Sequence, residues 1–492
     1  MNRVLSRFVL LGCLGVSLPA FGHEPHVCLP GVNDVPAMLA EHTEQADLVA
    51  GVFDAQAMFV KGGALGDTRW SICDGFGRPA TTGGGAHRTP DESLMSRASG
   101  PEAVSCQGCH GQPRTAGSGD FVANTFNGGE LLLDNTFSLG PEVSNERDTT
   151  GMFGAGYLEL LAREMTVELK QQLAASTTEG WQTFTTKGVS FEVNVKNGEV
   201  VAARGINNDL IVRPFGAGGT KASIRQFTVE AFNRHHGLQA EERYDRFLGD
   251  PDFDQDGVQR ELTIGDLTVV ALWQAMLDRP QVQMPEDDPR ATVDVNQGKK
   301  LFARVGCTDC HVAQMTLNNR TFCEPGLYND PGIFGSEPGD ADQRVCTVLN
   351  WADDDSTKTD DLKSNPVPAD TPLPLATYTD LKRHRMCDDP AKVADPITAL
   401  CNEQLAEDRP SQDGYPGEQY FLTADLWQVG ESAPYGHNGH YPSLSSIIMV
   451  HAGEAREARD AYAALPKAQQ LKVIKFLQTL KIFDQVLRVN DG

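Results

Sequence analysis

NQGKKLFARVGCTDCH, residues 296–311, decides the fold. Residues 296–305 read as a short helix carrying Leu301 and Phe302, and Gly306 interrupts that pattern immediately before Cys307. Cys307 and Cys310 stand three positions apart and His311 follows. That spacing lets two thiols meet the two vinyl groups of a porphyrin while the histidine swings beneath it to bind iron. The same arrangement recurs at Cys106, Cys109 and His110. A zinc knuckle would need further Cys/His pairs close by in sequence, and a redox CxxC would follow a βαβ pattern. Neither context surrounds these motifs. Two covalently attached haem c groups are therefore expected, with His110 and His311 as iron ligands.

Downstream, residues 466–480 (PKAQQLKVIKFLQTL) place Leu471, Ile474, Phe476, Leu477 and Leu480 on one broad apolar face. An opening helix, a haem motif and a closing amphipathic helix are the plan of a small all-α cytochrome c domain. Residues 433–455 (APYGHNGHYPSLSSIIMVHAGEA) lie between motif and closing helix. Pro442 and Ser443 start a helix there and Gly453 ends it, with Leu444, Ile447, Ile448 and His451 at i, i+3, i+4 and i+7. His451 is accordingly the expected distal ligand of the second iron. Met449 is the alternative, about 200° away around the helix. His437 and His440 precede this helix, either as haem contacts or as part of a surface turn with Asn438 and Gly439.

For the first haem, residues 221–236 (KASIRQFTVEAFNRHH) read as a helix capped by Gly237. Ile224, Phe227, Ala231 and His235 run along one face, and His236 neighbours Phe232 and Val229. His235 and His236 are candidate pocket residues; complementing the helix dipole is the alternative. Glu159, in MFGAGYLELLAREM (152–165), is a candidate acid for proton transfer during O–O cleavage, a solvated helix-face position being the alternative.

The 492 residues carry a formal charge of −25, which repels nucleic acid; steering of a basic redox partner is one role for it, a coat that serves only solubility the alternative. Arg3 and Arg7 precede an apolar run, and Ala20 and Gly22 supply small residues before a cleavage site, so residues 1–22 are expected to be a signal peptide. Export to the periplasm without a membrane span follows. A lipobox-like stretch ending at Cys13 offers lipid anchoring as the alternative. Of eleven cysteines, six lie outside signal and haem motifs, and proximity favours Cys28–Cys73, Cys323–Cys346 and Cys387–Cys401. Asp252, Asp254 and Asp256 form a DxDxDG loop with Glu261 beyond it, a candidate calcium site with irregular ligands because Thr263 stands where an EF-hand has glutamate. An acidic turn is the alternative. Alternation at Val189, Phe191, Val193 and Val195 before Asn197-Gly198 reads as a β-hairpin within residues 189–203. A helix over 262–277 leads into a Pro- and Asp-rich linker at 279–290. The expected fold is mainly α: two cytochrome c-like haem domains, 23–285 and 291–492, with a small β-hairpin insertion and long disulfide-restrained loops.

SCQGCH (105–110), MFGAGYLELL (152–161), TKASIRQFTVEAFNRHHG (220–237), GKKLFARVGCTDCH (298–311) and LWQVGESAPYGHNGHYPSLSSIIMVHAGEA (426–455) together span most of residues 100–480. The set resembles the bacterial diheme cytochrome c peroxidase and MauG superfamily, and within it the diheme (thiol) oxidoreductase branch. In the peroxidases a methionine on the electron-transfer haem stands 14 residues after the APYxH histidine; 14 after His437 stands His451. The resemblance implies a low-spin second haem, a first haem that reacts with peroxide, and often calcium between domains. The chain departs from the peroxidases in its pocket pattern around the first motif and in the 201 residues separating Cys106 from Cys307. The expected function is a periplasmic diheme oxidoreductase. It would activate peroxide or oxygen at the N-terminal haem and draw electrons through the C-terminal one from a small cytochrome or cupredoxin. Trp273 and Trp427 are candidate stepping stones, with a place in the core the alternative for each. A non-catalytic electron carrier with both haems six-coordinate is the alternative.

Overall fold

The computed structural model describes residues 36–39, 41–77, 103–119, 122–126, 144–253, 256–349, 368–401 and 419–482. The expected signal segment with Cys13, the disulfide partner Cys28 and the loop carboxylate Asp254 lie outside them. The helices are α1 (Gln45–Val49), α2 (Ala55–Asp67), the one-turn α3 (Gln107–His110), α4 (Ala155–Ala175), α5 (Ile224–Ala231), α6 (Ile264–Met276), α7 (Pro289–Arg304), α8 (Leu444–Val450), α9 (Arg456–Ala463) and α10 (Lys467–Leu477). Their starts follow local chemistry. Thr263 and Asp266 close a capping box on α6, Ser443 and Ser446 do so on α8, and Asp288 caps α7 ahead of Pro289 at its first position. α2 and α6 pack closely because glycines face the contact: a Cβ on Gly62 would lie 2.0 Å from the Val269 carbonyl oxygen. Trp273 fills that seam against Gly63 and Gly66.

The sheets are small and antiparallel. β1 (Val122–Phe126) pairs with β2 (Ser144–Asp148), and β3 (Gly180–Thr186), β4 (Val189–Lys196) and β5 (Glu199–Arg204) form a meander. The hairpin expected at 189–203 thus gains a third strand on its N-terminal side. Lys187-Gly188 and Asn197-Gly198 all have positive φ at the two turns, the geometry that suits a tight hairpin. Phe191, Val193 and Val195 alternate inward onto α4 and its surroundings. Further on, Thr321–Glu324 pairs with Val345–Val348, and the Cys323–Cys346 disulfide joins directly opposed residues. Cys387 is joined to Cys401. Cys73 is also disulfide-bonded.

Two hydrophobic clusters organise the molecule. The larger takes α2, α4, α5, α6 and the β3–β5 meander, together with Met315, Leu317, Phe322, Leu373, Leu375 and Trp427. The smaller takes Val295, Leu301 and Phe302 of α7, Leu444 of α8, Tyr462 of α9, and Val473, Phe476 and Leu477 of α10, closing on Tyr378. Two expected faces are turned. Leu471 is 55% exposed, and the polar Gln470 is buried instead, its Nε2 donating to the carbonyls of Tyr462, Ala463 and Leu465. Phe227 is exposed because α5 buries Arg225 against Glu242, which rotates its inner face toward Arg225, Thr228 and Val229. No helix among the described residues is long and apolar enough to cross a membrane.

Candidate functional site

Two residues past the end of α7 stands Gly306, whose φ of 94° admits only a residue without side-chain hindrance, and the chain turns directly into Cys307–Asp309. His311 Nδ1 lies 2.8 Å from the Tyr378 carbonyl oxygen, so Nδ1 carries the proton and Nε2 is left as a lone-pair donor. Phe302, Tyr378 and Phe476 pack as an aromatic group around this ring, with Phe302 6.1 Å from it centroid to centroid. α8 stops at His451, whose Nδ1 turns back onto the Ile447 carbonyl at 2.8 Å and satisfies an acceptor that the helix end leaves open. Its Nε2 is left free in the same way. His451 is close enough for its charge to act on His311, while Met449 is exposed on the other side of α8. Burial pushes His311 down to about 4 and lowers His451, which keeps both imidazoles neutral, the form that binds a metal.

Around the first motif His110 Nδ1 lies 3.2 Å from the Gly117 carbonyl oxygen, and the Thr150 backbone also acts on the ring. α5 continues into a π-helical turn, Phe232–His236, ended by Gly237 in the left-handed conformation. A Cβ on Gly237 would lie 2.3 Å from the Gly77 carbonyl oxygen, so the glycine lets that segment close over the turn. The wide turn brings His236 Nε2 to 3.9 Å from Cys106 Sγ, while His236 Nδ1 holds the Ala103 carbonyl at 2.6 Å. His235 is near enough for its charge to act on both His110 and His236. Burial pushes His110 and His236 down to about 4.

Glu159 is fully buried rather than solvated. Its Oε2 accepts the Ile224 N–H at 2.8 Å, at the start of α5, and it contacts Arg163. Twelve helical steps lead from Ile224 to His236, roughly 18 Å of rise, so Glu159 and Cys106 sit at opposite ends of that helix. Asp252 and Asp256 accept the N–H groups of Gly257 and Val258, and Glu261 turns inward to accept the Gln239 N–H at 2.7 Å. His437 stacks on Phe421, its carbonyl accepting from Asp148 N–H, and His440 Nε2 lies 2.6 Å from Glu146 Oε2.

The cysteines of the two motifs fit covalent haem. All other described cysteines are in disulfides, whereas Cys106, Cys109, Cys307 and Cys310 remain thiols. Burial pushes Cys106 and Cys307 up to about 12, the opposite of what a redox-active CxxC requires. The only group of three donors that could hold a metal ion among the described residues is Cys310, Asp380 and His384.

Sequence reading missed two features. His384 is buried between carboxylates, Nε2 on Asp380 and Nδ1 on Glu454, both at 2.7 Å. Burial opposes a charge on the ring, but the hydrogen bonds to Asp380, Cys310 and Glu454 prevail and push it up to about 11. A histidine inside RHR with acids four and seventy positions away gives no local signal. The other is the placement of Trp427. It packs on Gly154, and its Nε1 donates to the Ala376 carbonyl at 2.8 Å, two residues before Tyr378. On its other side, Met152 N–H donates to Ala116 O, next to the Gly117 carbonyl that faces His110.

No family model matches the chain, and no curated protein matches it. Among solved structures, xenon-pressurised hydrazine synthase of Kuenenia stuttgartiensis aligns over 98% of this chain and 100% of its own, at 13% identity and a TM-score of 0.35. At that score the likeness carries no argument.

Proposed function

We propose that this chain is an exported diheme c-type oxidoreductase of peroxidase or MauG-like type. The first haem, on Cys106, Cys109 and His110, would meet peroxide or oxygen; the second, on Cys307, Cys310 and His311, would relay electrons. A bound haem supplies one-electron chemistry, and an open coordination position lets its iron reduce peroxide. The observation that carries this reading is the unlike surroundings of the two attachment histidines. At the second, His311 and His451 are each held by Nδ1 with Nε2 free, which supports two strong ligands and an electron-transfer role. At the first, the free nitrogen of His236 is directed at the attachment sulfur of Cys106. That turns His236 toward the sulfur rather than toward His110 and supports a first iron that His236 does not close. His235 and His236 line this side and could hold or move a proton at their ring nitrogens; Glu159 is set back at the far end of α5. Trp427 suits a stepping stone, whereas Trp273 fills the α2–α6 seam. The disulfides suit an oxidising compartment such as the periplasm, and the charge of −25 suits a basic small cytochrome or cupredoxin as electron donor.

Ferric and ferrous spectra of the haem-loaded protein, recorded with and without peroxide, test this. One low-spin haem and one haem altered by peroxide are expected. Two low-spin haems indifferent to peroxide would sink the enzyme reading in favour of a pure electron carrier.

A further inference from the structure

His384 sits on the strand Arg383–Arg385 with both ring nitrogens on carboxylates, Nε2 on Asp380 Oδ2 and Nδ1 on Glu454 Oε2. A neutral imidazole has one N–H to donate. With both carboxylates ionised, two acceptors at 2.7 Å are satisfied together by the doubly protonated, cationic ring. Each carboxylate in turn belongs to a segment tied to a ligand histidine, one through a hydrogen bond and one through the chain. Asp380 is two residues beyond Tyr378, whose carbonyl accepts from His311. Glu454 is three residues beyond His451, and its second oxygen, Oε1, accepts the Arg385 N–H at 2.9 Å. Between them the backbones are in close contact: a Cβ on Gly453 would lie 2.2 Å from the Arg385 carbonyl oxygen, and Gly453 N–H donates to Asp388 Oδ1 at 3.1 Å.

We propose that His384 is a positioning residue, a cationic pin that joins the Tyr378–Asp380 segment behind His311 to the Ala452–Glu454 segment behind His451. This rests on the two-histidine reading of the second centre. With the pin in place, Asp380 and Glu454 are held on one cation, and the backbone partners of both ligand rings keep their separation. Without it, two carboxylates of like charge face each other, one of them buried, and the His451 segment keeps only its backbone ties, Arg385 N–H to Glu454 and Gly453 N–H to Asp388. The consequence is a distal ligand that dissociates more readily, with covalent attachment through Cys307 and Cys310 untouched.

The test uses the full-length, haem-loaded protein and follows cyanide binding to the second ferric haem by absorbance, with haem staining of denaturing gels to count attached haem. His384→Gln is expected to bind cyanide about tenfold faster than wild type at unchanged haem content. Glu454→Gln, a milder change at a half-exposed side chain, is expected to shift the rate in the same direction. His384→Arg, whose planar cation can span two carboxylates, is expected to restore a rate close to wild type. Wild-type cyanide kinetics in both His384→Gln and Glu454→Gln, alongside an opened site in His451→Ala, would overturn the pin alone. A wild-type spectrum in His451→Ala would reject the two-histidine centre and the pin with it.

Discussion

Three carboxylates and two guanidiniums share one buried cluster, and the uneven count governs how Glu324 behaves. Arg225, fully buried, pairs with Glu242 at 2.5 Å and reaches Glu324 Oε2 at 3.6 Å; Arg163 contacts Glu159 and lies 3.5 Å from Glu324 Oε1. Glu324 Oε2 has no hydrogen bond. Burial, then the charge of Glu159, push Glu324 up to about 7 against the pull of Arg225 and Arg163. Burial likewise raises Glu159. An acid raised on folding contributes stability that is fully present below its unfolded pKa and is lost as pH rises through the folded one, here about 7. Glu324→Gln imitates the protonated form. Denaturation at about pH 5.5 and about pH 8.5 should therefore find wild type losing on the order of 1–3 kcal/mol more than the variant across that interval. Equal losses would mean that Glu324 is ionised throughout. Glu159 shows why such a site was only half legible. Its place on an apolar helix was visible, but its partners Ile224 and Glu324 lie 65 and 165 positions further along the chain. The start of α8 at Ser443 was legible because its capping chemistry is local.

At the scale of elements, the helices flanking the second motif were visible and their crossing was not. The Pro- and Asp-rich stretch at 279–290 reads as linker, yet Asp288 and Pro289 start α7, because a proline at the first helical position lacks only an N–H that the helix would leave unpaired. α7 then meets α10 at Gly298, where a Cβ would lie 1.9 Å from the Lys472 carbonyl oxygen. That contact is backbone against backbone and cannot be relieved by rotating a side chain. Gly298→Ala is expected to lower stability by about 1–3 kcal/mol through overpacking, whereas Lys299→Ala, at an exposed neighbour, should stay within about 0.5 kcal/mol. Chemical denaturation followed by helical circular dichroism measures both. A tolerated Gly298→Ala would mean that the two helices separate without cost and do not clamp the Cys307 segment.

Over the whole molecule, the two hydrophobic clusters do not divide where composition changes. Residues 315–375 follow the second motif in sequence, but Met315, Leu317, Phe322, Leu373 and Leu375 pack into the larger cluster with α4 and α6. Nothing local betrays this, since short strands rich in Pro, Asp and Gly look alike whichever core receives them. The consequence is an interlocked body in which Trp427, from the C-terminal half, packs on Gly154 from the N-terminal half while donating to Ala376 beside the His311 segment. Trp427→Phe keeps an aromatic ring against Gly154 but leaves the Ala376 carbonyl without its donor, at a cost of about 1–2 kcal/mol. If Trp427 carries electrons between the centres, flash reduction of one haem should equilibrate with the other more slowly in Trp427→Phe, while the resting spectra of both stay unchanged. Trp273→Phe loosens the α2–α6 seam instead and should leave the transfer rate alone. A Trp427→Phe rate equal to wild type, with stability lowered as expected, would make this tryptophan a packing residue and move the electron path elsewhere.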